Sequence, residues 1–382
     1  MDKFVEYCLY VLIFFIPFSK AGVEIFASLA ISAFIIKKIL QPELRFIKNH
    51  THLFLLFFVI FGGLSLLNSG PYLKKSLEAL FSKWLEYIFI FLIVEDTLAS
   101  HKRLRNAMAI LLIVGAIVGI DGLFQRFLGW DFLRQRLTIK IREGMFAVTG
   151  PFKHYNDFAA YLVCVLSLFV ALFLGAGGGQ VGLVFAIILL GMCLLFTFSR
   201  GGWLGFLAGG LLMLFLLRQW KVVLPVITIF ALALILVPAI KERTVFTFRP
   251  GGDAGRFVMW QGTWRIIKEN PFLGKGLGTF MEYFPRYIHG LGIQYAHNCY
   301  LQMWAEIGIF GLLSFVLFVG SILLRGIRVF RAKRDFFLLG VLCGIFGFLV
   351  HSFFDTQLYS LQLSVLFWFM LGLAVSMVAH SS

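Results

Sequence analysis

The chain has 382 residues, of which 60% are hydrophobic, 14% are charged and 46 are phenylalanine. Soluble globular domains carry about 25% charged residues, so this composition excludes one and indicates that lipid surrounds most of the chain. A formal net charge of +15 could suggest a nucleic-acid partner, but the basic residues lie in segments between apolar runs and form no single soluble face.

Apolar runs recur from one end of the chain to the other, each near the roughly 20 residues that a helix needs to cross a bilayer. They predict an all-α, polytopic membrane protein whose residues 1–382 form one integral membrane domain. The predicted transmembrane helices, about twelve, are residues 4–18, 22–40, 52–67, 76–94, 104–124, 157–175, 180–198, 202–218, 222–240, 298–324, 336–352 and 358–379. The first run is short and ends at Pro17, so a cleaved signal peptide is an alternative for it, although no convincing cleavage site follows.

Charge in the loops predicts how the chain is oriented. With a cytoplasmic N-terminus, the short loops rich in Lys and Arg fall inside, as the positive-inside rule requires. Two long segments then lie outside, residues 125–156 and the main loop 241–297, where short helices are expected. Both are also basic, and an anionic substrate is the simplest reason. The alternative is that long loops are translocated regardless of their charge.

The turn between the seventh and eighth predicted spans contains an arginine between two apolar runs, in the stretch Phe-Ser-Arg-Gly-Gly-Trp at residues 198–203. A charge at the hydrocarbon boundary is costly, and it is usually paired or functional. Gly201, Gly205 and Gly209 follow every four residues and predict that another helix packs closely there. Arg200 is therefore expected at a tightly packed site; the alternative is an interfacial anchor.

The main loop contains a predicted amphipathic helix at residues 255–268 along the membrane surface. Its large apolar residues recur at spacings of three or four: Phe257, Trp260, Trp264 and Ile267. Arg256 lies one turn from Trp260, and its guanidinium could bind phosphate bidentately; a solvated surface arginine is the alternative. Asn270 and Pro271 end the helix and lead into a glycine-rich turn that is expected to be flexible.

Polar residues mark the start of the next span, residues 296–311. Asn298, Gln302 and Glu306 are spaced by four and share one face of the predicted helix, which we expect to begin near His297. Such groups need partners in protein or a water-filled cavity, so Gln302 and Glu306 are favoured as interhelical contacts. His297 lies at the junction with the loop, where an imidazole could act as a base; a structural role is the alternative.

Two further polar groups lie at predicted outer ends of spans. In the stretch 149–161, Asn156 or Asp157 is the favoured N-cap, while Lys153 and His154 could face an anion. His351 and Asp355 could pair with one another or cap a turn. Five scattered cysteines give no disulfide or metal pattern, and no Walker sequence or nucleophile elbow occurs. An enzyme here is expected to use cations and a base, without a metal or another cofactor.

Together these residues resemble the O-antigen ligase and polymerase superfamily of bacterial envelope enzymes, over residues 145–320. The motifs are residues 198–203; Gly255-Arg256 with Trp260 and the segment 270–278; and His297-Asn298 with Leu301, Gln302, Glu306, Gly308 and Gly311. Residues 150–161 look like a fourth motif, although this chain has Tyr155 where the family usually has proline.

The resemblance implies a glycosyltransferase of the inner membrane that acts on the periplasmic side. Its donor would be a glycan linked to undecaprenyl diphosphate, and its acceptor lipid A-core. Arg200 and Arg256 match the family's diphosphate-binding positions, Arg265 is a further candidate, and His297 matches the proposed general base. Asn298, Gln302, Glu306, Lys153 and His154 would support them. Inversion at the anomeric carbon is then expected.

Two other functions stay open at this point. A polymerase would use a second lipid-linked repeat unit as acceptor, and the spacing of Arg265 and Gly276 is similar to one in polymerase loops. A flippase for lipid-linked glycans would need charged residues deep within several spans. Because most predicted spans are nearly free of charge in their interiors, a site on one face is favoured over a passage through the membrane. Twelve predicted spans and one dominant late outer loop favour the ligase over the polymerase.

Overall fold

The structure, a computed structural model, describes residues 1–41, 50–142, 144–177, 180–219, 254–288 and 295–381, with isolated positions between 221 and 242. The helices are α1 Asp2–Phe15, α2 Lys20–Leu40, α3 His50–Ser65, α4 Leu73–Ala79, α5 Leu85–Thr97, α6 His101–Leu128, α7 Tyr155–Gly175, α8 Val181–Phe196, α9 Arg200–Leu216, α10 Ala254–Glu269, α11 Phe280–Tyr283, α12 Cys299–Lys333, α13 Phe336–His351 and α14 Leu361–Ser381. One short hairpin is the only strand pair in these residues: β1 Ile139–Arg142 and β2 Met145–Ala147.

The all-α membrane fold is confirmed. In the described part of the chain, five segments are long and apolar enough to cross a bilayer: His50–Asn68, His101–Leu128, Tyr155–Gly175, Cys299–Lys333 and Leu361–His380. The helices α8, α9 and α13 are apolar but shorter. The number of about twelve spans stays a prediction, and most of the predicted span 222–240 lies outside the described residues.

The centre of the bundle is built on α13, which packs against both α7 and α9. A Cβ atom on Gly205 would lie 2.5 Å from the carbonyl oxygen of Gly347, and one on Gly209 would lie 2.7 Å from that of Cys343. The close helix approach predicted from the glycine spacing is thus confirmed, and the partner helix is α13. Since only hydrogen fits between the two backbones, the register of α9 against α13 is fixed.

Helix α12 is broken at Gly308, whose φ of 72° and ψ of 178° are not helical. The segment 270–278 enters the break. Lys275 and Gly276 donate their backbone N–H groups to the carbonyls of Ala305 and Glu306, both at 2.9 Å, and Ile309 donates to Pro271, also at 2.9 Å. These bonds replace those that the break removes from the helix. The flexible turn predicted here is wrong, because the turn is held by the helix that it interrupts.

The same segment is also tied to the end of α3. The side chain of Asn68 donates to the carbonyl of Gly274 at 2.9 Å, and the backbone of Leu277 donates to the hydroxyl of Ser65 at 3.2 Å. Gly274 and Gly308 have positive φ angles, and their Cβ atoms would overlap the facing backbone. The main loop is therefore fixed to two membrane helices before it reaches His297.

The hairpin and the start of α7 are held by Gln125 near the end of α6. Its side-chain oxygen accepts hydrogen bonds from the backbone of Thr149 at 2.7 Å and of Gly150 at 2.9 Å. Strands β1 and β2 pair antiparallel, with an irregular register between Lys140 and Arg142. The predicted first outer segment, 125–156, thus leads directly into the first turn of α7.

Replacing Gly205 with valine should destabilise the protein, because the added side chain cannot fit against Gly347. We expect a loss of about 2–3 kcal/mol, typical of an overpacked interior. Thermal unfolding in detergent measures it. Gly210→Val on the same helix is the matched control, since no atom lies within 4 Å of a Cβ there. Equal melting temperatures for the two variants would contradict this account of α9 and α13.

Candidate active site

Several helix ends meet at one end of the bundle, which we call the site end. The N-termini of α7, α9 and α12 lie beside the turn 351–355 that follows α13. Asn156, Ser199 and His297 each contact a residue of this turn. In addition, Cys299 at the start of α12 donates its backbone N–H to the carbonyl of Ser352 at 2.9 Å. The turn thus joins parts of the chain that are far apart in sequence.

Asp355 is the acceptor at the centre of this group. Its Oδ1 lies 2.9 Å from Nδ1 of His297 and accepts the backbone N–H of Thr356 at 2.9 Å, while Oδ2 accepts from the side-chain amide of Asn156. Burial disfavours the charged form of Asp355 and raises its pKa. The pKa is nevertheless well below its ordinary value, because His297 contributes a hydrogen bond and a charge, His351 a charge, and Thr356 a backbone N–H. The carboxylate therefore stays ionised at neutral pH.

An ionised carboxylate can only accept hydrogen bonds, so it fixes which nitrogen of His297 carries the proton. Nδ1 must be the donor towards Asp355. In the neutral ring, Nε2 then has the free lone pair. The side chain of His297 is 33% exposed, compared with 13% for Asp355. The arrangement is an oriented imidazole, with its basic nitrogen available to a substrate.

Two residues at the site end have left-handed backbone conformations. His297 has a φ of 48° and Phe198 a φ of 51°. Each comes directly before the N-cap of a helix: Asn298 caps α12, and Ser199 caps α9. Such conformations cost about 1–3 kcal/mol each in residues other than glycine and cluster at functional sites. Tight packing at both helix starts maintains them here.

Arg200 is the first residue of α9, and its position follows from its neighbours. Ser199 Oγ lies 3.4 Å from Nε2 of His351, and a Cβ on Gly201 would be 2.6 Å from the same ring. His351 is buried and also contributes to the electrostatic environment of Asp355. Arg200 is therefore held beside the turn 351–355 by the residues on both sides of it.

Arg256 lies in the first turn of α10, and the aromatic side chains of that helix position it. The rings of Trp260 and Phe353 meet edge to face, with centroids 6.1 Å apart. Trp264 meets Trp304 of α12 in the same way at 5.4 Å. The helix predicted for residues 255–268 is confirmed, and it lies across the turn 351–355.

The pKa of His154, at the start of α7, is affected by the charge of Arg256 on α10. Desolvation lowers its pKa most, the carboxylate of Asp355 raises it, and the charges of His297 and Arg256 lower it again. Its Nδ1 accepts the backbone N–H of Asn156 at 3.2 Å, which needs an unprotonated nitrogen. His154 is thus the N-cap of α7, and the prediction of Asn156 or Asp157 as the cap is wrong.

The remaining predicted candidates, Arg265 and Lys153, are exposed. Arg265 is exposed and donates to the carbonyl of Tyr287 at 3.1 Å. Nine residues separate it from Arg256, which places the two on opposite sides of α10. Lys153 is exposed at the start of the α7 segment. Residues 243–253 and 289–294 of the main loop are outside the described residues.

The polar stripe of α12 lies inside the protein, and each member has an identified partner. Asn298 accepts the backbone N–H groups of Tyr300 and Leu301, both at 3.0 Å, so α12 begins at Cys299, near His297 as expected. Gln302 bonds to the backbone of Ala296 at 3.2 Å and to Glu306 at 3.3 Å. Glu306 also accepts the N–H of Gly278 at 3.0 Å. The stripe fixes the chain on both sides of His297.

Asp355 and Asn156 are the site residues that the sequence did not identify. The spacing of His351 and Asp355 predicts that the two pair with each other or cap the turn. In the structure Asp355 is hydrogen-bonded to His297. The signal in the sequence for Asp355 is its position as a polar residue in the turn that follows an apolar span.

Asp355→Asn should lower stability at neutral pH by about 1–3 kcal/mol, since a charged hydrogen bond is lost. The folded-state pKa lies below the unfolded value of about 3.9. The stabilisation is therefore present above roughly pH 5 and is lost as the pH falls through the folded-state pKa. The gap between the melting temperatures of wild type and variant should stay constant from pH 7 to about pH 5 and narrow only below about pH 4. Glu78→Gln, at an exposed glutamate, is the control. A difference in melting temperature between wild type and Asp355→Asn that does not change with pH would refute the lowered pKa of Asp355.

Two comparisons place this site among known proteins. Residues 185–316, which include Arg200, Arg256 and His297, match the sequence model of the family described as O-Antigen ligase. An O-antigen ligase of Salmonella typhimurium is 30% identical over 149 residues, which are 33% of this chain and 35% of that protein. The chain thus aligns with about a third of the length of that relative. The region that carries the candidate site is thus similar to the O-antigen ligase family over about a third of the chain.

Proposed function

We propose that the protein is an O-antigen ligase of the inner membrane. It transfers a glycan from undecaprenyl diphosphate to a hydroxyl group of lipid A-core on the periplasmic side, without a metal and with inversion. The observation that carries the proposal is the oriented His297–Asp355 pair. The charge of Arg256 acts on the neighbouring His154 and His351, and Arg200 follows Ser199, which contacts His351. The positive-inside pattern of the loops favours a periplasmic site end.

The diphosphate of the donor would be held by positive charge from side chains and helices. Arg200 and Arg256 provide guanidinium groups that stay charged at any relevant pH. The N-termini of α7, α9 and α12 meet at the same end of the bundle, and each adds the positive end of a helix dipole. Negative charge grows on the leaving diphosphate during the reaction, so these fixed groups would stabilise the transition state more than the ground state.

An apolar groove at the same end fits the polyprenyl chain of such a donor. It has a volume of about 510 Å³ and lies between α12 and α13. Phe315, Val319 and Leu323 form its α12 wall, and Leu349 and Phe353 line the other side. Because Phe353 also contacts Trp260 of α10, the groove ends below Arg256. A lipid lying in the groove would bring its diphosphate to the arginines.

The proposed chemistry is one displacement. The acceptor hydroxyl oxygen attacks the anomeric carbon while its proton passes to Nε2 of His297. The bond from that carbon to the phosphate oxygen breaks, and undecaprenyl diphosphate leaves with the electron pair. Asp355 stabilises the imidazolium that forms. No covalent sugar intermediate is needed, which is why inversion is expected.

His297→Ala should lower the rate of glycan transfer by a factor of about 10²–10⁴, the usual contribution of general acid–base catalysis. The assay uses purified protein, a glycan on undecaprenyl diphosphate, and lipid A-core as acceptor. Nuclear magnetic resonance of the product gives its anomeric configuration. Arg256→Ala should also lose transfer, whereas Lys268→Ala on the exposed side of α10 and His101→Ala at the other end of α6 should not.

The products decide between the possible functions. Glycan on lipid A-core supports a ligase, while longer glycans on undecaprenyl diphosphate would establish a polymerase instead. Full activity of His297→Ala, or retention of configuration, would contradict the mechanism. Passage of the lipid across vesicle membranes without transfer to either acceptor would replace the enzyme with a flippase.

A further inference from the structure

A second cavity, of about 860 Å³, opens between α2 and α5 near the site end. Its lining is polar although both helices belong to predicted spans. Two lysines, two glutamates, four serines and three tyrosines line it, with some apolar side chains. Polar groups within membrane segments are costly and usually serve a substrate. Nothing in the diphosphate site uses these residues.

The wall formed by α5 has an irregular backbone. The segment Leu80–Trp84 between α4 and α5 is a π-helix, and it places Ser82 and Lys83 in the cavity lining. Such π-segments are rare and often occur at functional sites. Glu86 lies two residues after this segment, and its buried Oε1 accepts no hydrogen bond from the residues that the structure describes. A buried oxygen of this kind is suited to accept a hydrogen bond from a ligand.

The cavity adjoins the reacting groups through two short stretches of chain. Tyr295, two residues before His297, lines it, as do Tyr359 and Ser360, which follow Asp355. The rings of Tyr295 and Tyr359 have centroids 6.3 Å apart. A molecule in the cavity would therefore reach His297 from the α2 and α5 side, while Arg200 and Arg256 approach from α9 and α10.

The chemistry of the lining favours a sugar over a phosphate. Lys20 and Lys83 are balanced by Glu24 and Glu86, so the cavity has no excess positive charge for a diphosphate. Carboxylates accept hydrogen bonds from sugar hydroxyl groups, and serine and lysine side chains donate to sugar oxygens. Aromatic walls with a few convergent polar groups are typical of small-molecule sites.

We propose that this cavity holds the sugar residues of the acceptor and presents the attacking hydroxyl group to His297. The inference rests on the proposed function, since it assigns the second substrate of the same reaction. In a single displacement the attacking and leaving oxygens lie on opposite sides of the anomeric carbon. The cavity borders the residues next to His297 and Asp355, and neither Arg200 nor Arg256 lines it, which agrees with that requirement.

Filling the cavity tests the proposal without changing the catalytic groups. Ser28 lines the cavity from an exposed position on α2, and Leu29 is its exposed neighbour outside the lining. Ser28→Trp and Leu29→Trp therefore form a matched pair. Fluorescently labelled lipid A-core is titrated against each protein in nanodiscs, which needs no turnover, and the KM values for acceptor and donor follow from transfer rates.

Ser28→Trp is expected to raise the Kd and the KM for lipid A-core at least tenfold and to leave the KM of the donor unchanged. Leu29→Trp should behave as wild type. Glu86→Gln, which keeps the shape of the side chain, should also raise the acceptor KM. Thermal unfolding confirms that each variant is folded.

Failure of the inference and failure of the proposed function have different results. Wild-type protein that transfers glycan, with an unchanged acceptor Kd in Ser28→Trp, overturns the cavity assignment alone. An equal loss in Leu29→Trp, a rise in donor KM alone, or no saturable binding of lipid A-core to wild type also overturns it. If the wild-type protein binds lipid A-core but transfers no glycan, and Ser28→Trp abolishes that binding, the cavity assignment is supported and the proposed reaction is overturned.

Discussion

The hydrogen bond between Asp355 and His297 connects the fold of this protein with its proposed chemistry. It joins the turn after α13 to the start of α12, and the same carboxylate holds Asn156 of α7. Since burial would otherwise neutralise Asp355, the surrounding donors are what keep it charged. A charged Asp355 in turn selects the tautomer of His297. Removal of this carboxylate would affect helix packing and the imidazole together.

The other structural constraints bring the substrate groups to this pair. Glycines along α9 and α13 fix where Arg200 lies, and the break of α12 at Gly308 binds the segment that leads from α10 to the site. Arg256 approaches on α10 through aromatic contacts with Phe353 and Trp304. Neither Arg200 nor Arg256 lines the polar cavity between α2 and α5. The proposed function uses this separation for its two substrates.

Sequence patterns gave the helical membrane fold, the close packing of α9 and the helix that carries Arg256, because each depends on local spacing. The partners of Asp355 could not be found in this way, since they lie 58 and 199 residues away in the chain. The cap of α7 was misplaced because His154 is an unusual N-cap beside the more common asparagine. The glycine-rich turn is predicted to be flexible because its binding partners, the break in α12 and the end of α3, are far from it in the chain or appear only in the fold. Likewise, no spacing rule indicated the π-helix next to Glu86.

A double-mutant cycle tests the central claim most directly. Transfer rates are measured for wild type, His297→Ala, Asp355→Asn and the double variant, with the folded fraction of each determined by thermal unfolding. If Asp355 acts through His297, the double variant should be about as slow as His297→Ala alone, because residues that act as a unit are not additive. Rate losses that multiply across the two sites would contradict the account, since Asp355 would then act independently of the base.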